Sequence, residues 1–404
     1  MVAATPTEAT TPAATERPPG GGFRADVQAL RAVAVLLVVL YHAGVPALTG
    51  GFIGVDVFFV ISGFLITGLL VKEQERSGTI SILKFYGRRM RRIMPAAALV
   101  LIATVVASYQ WLGYIRGAHI AEDAEWASVF LANFHFAAVG TDYLNAQSDP
   151  STLQHYWSLA VEEQFYVVRP ALFLLLGWIA KSARNKILPV ALIVAASYAF
   201  SIVYTGQDAT RAYFSPFTRA CELGAGALLA LLAVQLAKLP QRAGVVLSVA
   251  GMAGIVVAAF TITEAMPFPG WVVAVPVLAT CAVLAGGSVI QGTALDTAYR
   301  FKPVQLIGLW SYSLYLWHWP VLTIPWERLG HAPTLLVRGL LVIGAVALAA
   351  ATYYLVENPI RNMALLRRQP VVSIAVGLAL IAVVVLVSVA EVTSHPAIPV
   401  HTAS

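Results

Sequence analysis

The chain of 404 residues is strongly apolar, with 59% hydrophobic and only 11% charged residues. Soluble domains carry about a quarter charged residues, so this composition excludes an ordinary water-soluble fold. The net charge of +6 would suit a nucleic-acid partner, but membrane proteins concentrate basic residues on one side of the bilayer, which explains the charge without nucleic acid. Cys221 and Cys281 lie in or beside apolar segments and indicate neither a disulfide framework nor a thiolate metal site.

Residues 1–22 are rich in Ala, Thr, Pro and Gly and contain almost no large apolar side chains. Such a segment cannot bury enough surface to order itself, so we expect a disordered cytoplasmic tail. A secretory signal peptide would place a short apolar stretch near the start and a small-residue cleavage site after it, and neither feature is present. The folded part is expected to begin at Phe23.

Apolar segments long enough to cross a bilayer recur from Val27 nearly to the C-terminus. About 20 apolar residues in helical form cross the roughly 30 Å of hydrocarbon. We predict an all-α polytopic bundle of about eleven transmembrane helices in the plasma or inner membrane. The predicted spans are 27–43, 52–71, 95–112, 156–179, 187–204, 221–236, 243–262, 271–287, 304–324, 335–356 and 371–390.

Basic residues are distributed unevenly between the two sides of these spans. Most of the 26 Lys and Arg residues, including those at 88–92, share one side if the N-terminus lies inside. Cytoplasmic loops are enriched in Lys and Arg, so the asymmetry predicts a cytoplasmic N-terminus and an external loop at 113–155. The basic residues predicted to lie outside are Arg116, Arg211, Arg219 and Arg328.

Ionisable side chains inside spans cost about 2.5 to 3.5 kcal/mol each on insertion scales, so each requires a partner, a wet cavity or a function. Arg31 and His42 in the first span are eleven positions apart. They therefore point from nearly one helical face, about 16 Å apart along the axis, and a long cofactor arm could span that gap. The alternative for Arg31 is a side chain that snorkels to the inner interface.

His42 is a candidate general base because neutral imidazole accepts a proton near physiological pH. Asp56 lies at a similar depth in the second span, and we expect its carboxylate to orient the His42 ring. A purely structural hydrogen-bonded pair is the alternative.

The fourth span begins with residues 157–166, WSLAVEEQFY, which place two carboxylates and an amide among apolar side chains. Glu162 and Arg169 lie on one helical face, so we predict that they pair and that Glu163 points elsewhere. One glutamate is expected to be structural and the other functional.

The ninth span contains residues 310–320, WSYSLYLWHWP, with hydroxyl, indole and imidazole groups close together. Aromatic rings with polar edges suit sugar faces and interfacial lipid equally well. Four arginines precede the third span: Arg88, Arg89, Arg91 and Arg92. Guanidinium groups match pairs of phosphate oxygens, so the cluster is a candidate site for a phosphorylated donor. A topology anchor or an anionic-lipid patch is the alternative.

Together these motifs resemble the acyltransferase-three family of membrane O-acyltransferases across the stretch from residue 23 to 361. The resemblance is carried by Leu30-Arg31-Ala32 followed by His42, by GVDVFFVISGFL at 54–65, by the arginine cluster closed by Pro95, by 157–166, by 312–320 and by ENPI at 357–360. Members transfer acetyl or related groups from coenzyme A to envelope glycans, lipids or antibiotics. The resemblance implies O-acyl transfer from acyl-CoA, as a co-substrate and not a resident cofactor, to a cell-envelope glycan, glycolipid or similar non-protein acceptor.

The resemblance also implies roles and boundaries. Arg31 and His42 match the family's spaced arginine and histidine, and either Arg88 with Arg91 or Arg89 with Arg92 matches its paired arginines. Some relatives continue into a soluble external esterase-like domain, which we do not expect here. The expected organisation is the tail at 1–22, a transmembrane acyltransferase domain at 23–362, and an additional helix with a short external tail at 363–404.

In the mechanism that we expect, the arginine cluster binds acyl-CoA and the thioester arm runs along the Arg31 face. His42, oriented by Asp56, takes the proton of the acceptor hydroxyl as its oxygen attacks the thioester carbonyl, with Glu163 as the third catalytic candidate. A two-step transfer through His42 or Ser62 fits the sequence equally well. The candidate acceptor contacts are Trp157, Glu162, Tyr312, Tyr315 and His318.

Two other functional classes fit some of these features. A transporter or flippase of a polar lipid or acyl carrier would also place charges inside the membrane. The sequence lacks the internal repeat that many transporters have. A scaffold that recruits envelope enzymes is a third class, and it would not need His42.

Overall fold

The computed structural model describes residues 23–140, 150–179 and 183–395, and the predicted tail at 1–22 lies outside them. These residues form helices and no strand, which confirms the predicted all-α class. The α-helices are α1 (Ala25–His42), α2 (Gly54–Ser77), α3 (Ile82–Leu112), α4 (Tyr114–Ser128), α5 (Ala132–Ala138), α6 (Tyr156–Ile179), α7 (Ala183–Gln207), α8 (Ala209–Phe214), α9 (Pro216–Leu231), α10 (Ala233–Leu236), α11 (Gln241–Thr261), α12 (Ala274–Gly286), α13 (Ala294–Tyr299), α14 (Lys302–Leu329), α15 (Leu335–Thr352), α16 (Asn358–Asn362), α17 (Ala364–Arg368) and α18 (Pro370–Ser394).

Every predicted span overlaps one of these helices. Within the described ranges, 7 helices are long and apolar enough to cross a membrane. They are Ala25–His42, Gly51–Ser77, Ile82–Leu112, Asn185–Gln207, Gln241–Thr261, Leu335–Asn362 and Pro370–Ser394. The chain is therefore a multi-pass membrane protein. The number of spans and the side on which the N-terminus lies stay predictions.

Helix α3 begins well before the span predicted at 95–112. The Ser81 side chain caps its first turn by accepting from the Lys84 amide, and Pro95 lies inside the helix. The arginine cluster is therefore helical. Since successive residues of a helix turn by about 100°, the four arginines point in different directions around α3 and do not share one face.

Part of the predicted external loop is also helical. Helix α4 packs against α3 and α18, and it buries Ile120 and Ala124. Asp123 is buried as well, and its carboxylate accepts hydrogen bonds from Ser151 and, at 2.8 Å, from His135. The acidic residue at this position is thus a packing element and not a solvated linker residue.

Glycines bring the inner helices into backbone contact. A β-carbon at Gly63 of α2 would lie 2.0 Å from the Leu223 carbonyl oxygen of α9. A β-carbon at Gly308 of α14 would lie 2.1 Å from the Gln28 carbonyl oxygen of α1. Small residues permit this close approach in membrane helices, where van der Waals packing drives association. These contacts hold α2 on α9 and α14 on α1 at the centre of the bundle.

The last helix, α18, packs on α3 and α4. A β-carbon at Gly87 of α3 would lie 2.9 Å from the Pro370 carbonyl oxygen, and one at Gly377 would lie 2.7 Å from the Met90 sulfur. The Ser373 hydroxyl donates to the Leu366 carbonyl oxygen at 2.6 Å. Helix α18 therefore supports the helix that carries the arginine cluster.

Candidate active site

A cavity lies among α1, α2, α3, α6 and α14. We call the part lined by Arg31, Arg89 and Arg92 its arginine end, and the part lined by Ser158 and Tyr315 its tyrosine end. Apolar side chains of α2 form much of the wall between them. The cavity therefore joins two polar regions inside an apolar bundle.

The arginines at the arginine end differ in their partners. Arg89 is buried, donates to Glu163 Oε1 at 2.8 Å, and lies 3.6 Å from the centre of the Tyr166 ring. Arg31 Nη1 lies 3.5 Å from the Gln28 side-chain oxygen, a weak contact. Within the described part of the chain, neither Arg31 nor Arg92 has a carboxylate within 4.0 Å. These two guanidinium groups are therefore the cations available to an anionic ligand.

The other two arginines of the cluster lie outside the cavity. Arg88 donates to Glu73 at 2.9 Å, and Arg91 donates to the Leu366 carbonyl oxygen at 3.5 Å. Arg88 and Arg91 therefore do not line the cavity with Arg89 and Arg92, and the expectation that the four arginines bind a donor stays a prediction. Of the two arginine pairs left open by the sequence, only Arg89 with Arg92 lines the cavity.

The two glutamates of α6 face different spaces. Glu162 lines the cavity and accepts a hydrogen bond from Tyr166. Glu163 lines a second, mainly apolar pocket, and Arg89 and Tyr166 line both spaces. Glu163 is the ion-pair partner of Arg89 and does not line the cavity, and its catalytic role stays a prediction.

The predicted ion pair between Glu162 and Arg169 is wrong. The Arg169 guanidinium donates to the carbonyl oxygens of Gly63 at 3.3 Å and Leu223 at 3.1 Å. Arg169 is two helical turns beyond Glu162, and its side chain reaches the contact between α2 and α9. It therefore ties α6 to that helix pair.

Asp56 does not orient His42. Its carboxylate accepts from Arg219 Nη1 at 2.9 Å, and the same nitrogen donates to Glu222 at 3.0 Å. The exposed fraction of all three residues is 1% or less. The prediction failed because similar depth in the membrane does not specify which helix a side chain faces. Arg219 was predicted to be external, but it is the buried partner of Asp56 and Glu222.

Trp157 belongs to this buried cluster and not to the cavity. Its ring lies 4.7 Å from that of Tyr213, and the Arg219 guanidinium is 5.3 Å from its centre. Trp157 is fully buried. The indole packs against the Arg219 guanidinium, and the contact of Trp157 with the acceptor stays a prediction.

His42 is paired with a second histidine. Its Nδ1 atom lies 3.1 Å from Nε2 of His318 on α14, and the two rings stack with centres 5.3 Å apart. His318 is fully buried and contacts His42, and its predicted contact with the acceptor stays a prediction. Arg31 lines the cavity, whereas His42 contacts His318 of α14 and is not among the residues that line it, so the common face of α1 stays a prediction.

The hydrogen bonds of this pair define the protonation of both rings. His318 Nδ1 lies 2.6 Å from the Tyr315 carbonyl oxygen, which accepts only, so Nδ1 carries the proton. A neutral imidazole has one N–H, so His318 Nε2 is an acceptor. His42 Nδ1 must then donate to it. In this arrangement the lone pair of neutral His42 lies on Nε2.

A third histidine lies next to the pair. The ring centre of His155 is 5.6 Å from that of His318, and its Nε2 donates to the Leu316 carbonyl oxygen at 3.1 Å. His155 was not predicted as a site residue because it is the last residue of the predicted external loop, one residue before the fourth predicted span. Its position beside two aromatic residues at a span boundary was the available signal.

Tyr315 connects the cavity to the histidines. Its hydroxyl lies 2.6 Å from Ser158 Oγ and donates to the His155 carbonyl oxygen at 3.0 Å. Its ring centre is 5.4 Å from that of His318. Tyr315 thus lines the cavity on one side and contacts the histidine pair on the other, while Tyr312 lines the cavity and donates to the Ile93 carbonyl oxygen at 2.9 Å.

The ENPI motif follows a π-helical turn, Tyr353–Glu357, between α15 and α16. Such turns are frequent at functional sites because they re-aim a side chain. Here Glu357 is buried, accepts from the Ser313 hydroxyl of α14 at 2.9 Å, and lies 3.6 Å from Arg361. The motif therefore fixes α14, which carries Tyr315 and His318.

The sequence matches the acyltransferase domain family over residues 24–354. It is 31% identical over 353 residues to the peptidoglycan O-acetyltransferase OatA of Listeria monocytogenes, covering 83% of this chain and 56% of that protein. It is also 31% identical over 351 residues to the O-acetyltransferase OatA of Staphylococcus aureus, covering 82% of this chain and 56% of the relative. The chain thus spans little more than half the length of these relatives. No solved structure matches it.

The family match covers most of the chain and includes the cavity, the histidine pair and nearly all of α1 to α15. The chain therefore belongs to the acyltransferase-three family of membrane acyltransferases.

Proposed function

We propose that the protein is a membrane O-acetyltransferase of the plasma or inner membrane that moves an acetyl or related acyl group from acyl-CoA to a hydroxyl of a cell-envelope glycan. One observation carries the proposal. A cavity with Arg31 and Arg92 at one end reaches Tyr315 at the other, and Tyr315 contacts the pair of His42 and His318.

Charge at the arginine end favours a phosphorylated donor. Arg31 and Arg92 supply two guanidinium groups, whereas the Arg89 charge is balanced by Glu163. Guanidinium groups bind phosphate oxygens through paired, charge-assisted hydrogen bonds. Coenzyme A carries phosphates at one end of a long thioester arm, so its phosphates would lie at the arginine end.

The length of α1 suits that arm. Arg31 and His42 are about 16 Å apart along the helix axis, from a rise of 1.5 Å per residue. The cavity wall between the two polar ends includes Val55, Phe58 and Leu65, which suit an uncharged chain. The thioester would therefore arrive near Tyr315 and His42.

His42 supplies the base. Its Nε2 takes the proton of the acceptor hydroxyl while that oxygen forms a bond to the acyl carbon. The carbon–sulfur bond breaks, and the coenzyme A thiolate receives the proton, so a thioester and an alcohol become an ester and a thiol. A two-step route through an acyl-protein intermediate uses the same groups and would give a burst of thiol before ester accumulates.

The acceptor class rests on the relatives. The Listeria protein is named for peptidoglycan O-acetylation. Family membership also favours an enzyme over the transporter, flippase or scaffold alternatives. A peptidoglycan-type glycan hydroxyl is therefore the acceptor that we propose.

The test measures thiol release from acetyl-CoA by the purified protein in lipid nanodiscs, with a soluble peptidoglycan fragment as acceptor. His42→Ala should lower the rate about 10²- to 10⁴-fold, which is the usual contribution of a general base. His119→Ala is the matched control because His119 is an exposed histidine of α4, and it should retain full activity. Equal rates in the two variants, or acetyl-CoA transport without thiol release, would reject the proposal.

A further inference from the structure

His318 has the position of a residue that acts through His42. It is fully buried in the middle of α14, and its two ring nitrogens have different, defined partners. Nδ1 donates to the Tyr315 carbonyl oxygen at 2.6 Å, one helical turn earlier. Nε2 faces His42 Nδ1 at 3.1 Å. A backbone carbonyl therefore determines the protonation of His318, and His318 determines that of His42.

We propose that His318 is a positioning residue that holds His42 in the tautomer with the lone pair on Nε2 and stabilises the imidazolium formed during acyl transfer. This inference rests on the proposed role of His42 as the base. In catalytic triads a carboxylate usually orients the histidine and stabilises its imidazolium. Here the nearest candidate from the sequence, Asp56, is bound to Arg219, and a neutral imidazole takes its place.

His318 stabilises His42 most strongly when the His42 ring becomes positively charged during acyl transfer. The acceptor proton moves to His42 Nε2, the acceptor oxygen bonds to the acyl carbon, and the thiolate leaves and is protonated by the imidazolium. While His42 is positive, its Nδ1–H bond to His318 Nε2 is charge-assisted and therefore stronger than in the resting pair. This bond favours the transition state over the bound substrates, so it raises kcat and not the affinity for donor.

Ring packing limits other orientations of His42. Its ring centre is 4.4 Å from that of Trp319 and 5.0 Å from that of Tyr41. These neighbours confine the ring plane but do not choose between its two tautomers. That choice requires an acceptor at Nδ1, and His318 Nε2 provides one.

The kinetic test compares His318→Leu with His318→Gln. Leucine removes the acceptor, whereas the glutamine side-chain oxygen can accept from His42 Nδ1. We expect His318→Leu to lower kcat at least about 10²-fold with little change in the KM for acetyl-CoA, and His318→Gln to stay within about tenfold of the native rate. Adding His318→Leu to His42→Ala should cost nothing more. Equal losses in the two His318 variants, or additive losses in the double variant, would overturn the proposal.

A second readout does not depend on activity. Solid-state NMR of the ¹⁵N-histidine-labelled protein in liposomes, with His42→Ala to assign the signals, reports which His42 nitrogen carries hydrogen. We expect hydrogen on Nδ1 in the native protein and a mixture of tautomers in His318→Leu. Hydrogen on Nε2 in the native protein would reject the inference. An active His42→Ala variant would instead reject the proposed function and leave the tautomer result standing.

Discussion

Replacing Arg92 with alanine tests the arginine end without disturbing an ion pair. Arg92 lines the cavity and has no carboxylate within 4.0 Å among the described residues, so its removal breaks no ion pair. A hydrogen bond to a charged group contributes about 1.5 to 3 kcal/mol. At about 1.4 kcal/mol per factor of ten, the Kd for coenzyme A should rise about 10- to 140-fold.

The assay is calorimetric titration of the protein in nanodiscs with coenzyme A. Arg88→Ala is the matched control, because it removes the same charge from the same helix outside the cavity, where Arg88 binds Glu73. Its Kd should change less than twofold. A second titration uses S-acetylpantetheine, which lacks the phosphates, and Arg92→Ala should not weaken its binding. Equal effects of the two variants on coenzyme A, or an equal effect of Arg92→Ala on both ligands, would refute the assignment.

Three further predictions concern stability, measured as thermal unfolding in detergent and as monodisperse yield. Arg89→Ala leaves the buried Glu163 carboxylate without its ion-pair partner and should lower the free energy of unfolding by about 3 to 5 kcal/mol. Adding Glu163→Gln should restore most of that stability. An unaltered unfolding midpoint in Arg89→Ala would contradict the ion pair. Arg219→Ala strands the two carboxylates that it binds and should abolish the folded population, so a normal yield would contradict the cluster. Gly63→Ala should also fail to fold, because its β-carbon would meet a carbonyl oxygen at 2.0 Å. Gly68→Ala on the same helix meets nothing within 4 Å and should be neutral or slightly stabilising. Similar yields of the two variants would contradict the packing.

Apolar length located the helices, but pairing between helices was predicted incorrectly. The eleven-residue spacing predicts one face of α1 for Arg31 and His42; Arg31 lies at the cavity and His42 against His318 of α14. The partner of Asp56 depended on how α2 meets α9, which glycine contacts determine and hydropathy does not report. Periodicity reports a face of one helix, whereas a site needs the faces of several.

The same limit explains the histidines. His318 stood out in the sequence as a polar residue in an apolar span, but its role depends on a neighbour that is 276 positions away. His155 lies at the end of the predicted external loop, directly before α6, where apolar length gives no signal. A residue whose partner is distant in the sequence cannot be identified from the local pattern of apolar and polar residues.

Backbone contact between helices has a consequence for how a substrate reaches His42. Helices α1 and α14 touch main chain to main chain at Gly308, so no layer of side chains lies there on which they could slide. In the proposed mechanism, the Tyr315 side chain, which is hydrogen-bonded to Ser158, lies between the cavity and the histidine pair, so a thioester on its way to His42 would pass it. Tyr315 is buried and its hydroxyl is held by Ser158 and the His155 carbonyl oxygen. In this mechanism, turnover should therefore depend on the bulk of residue 315.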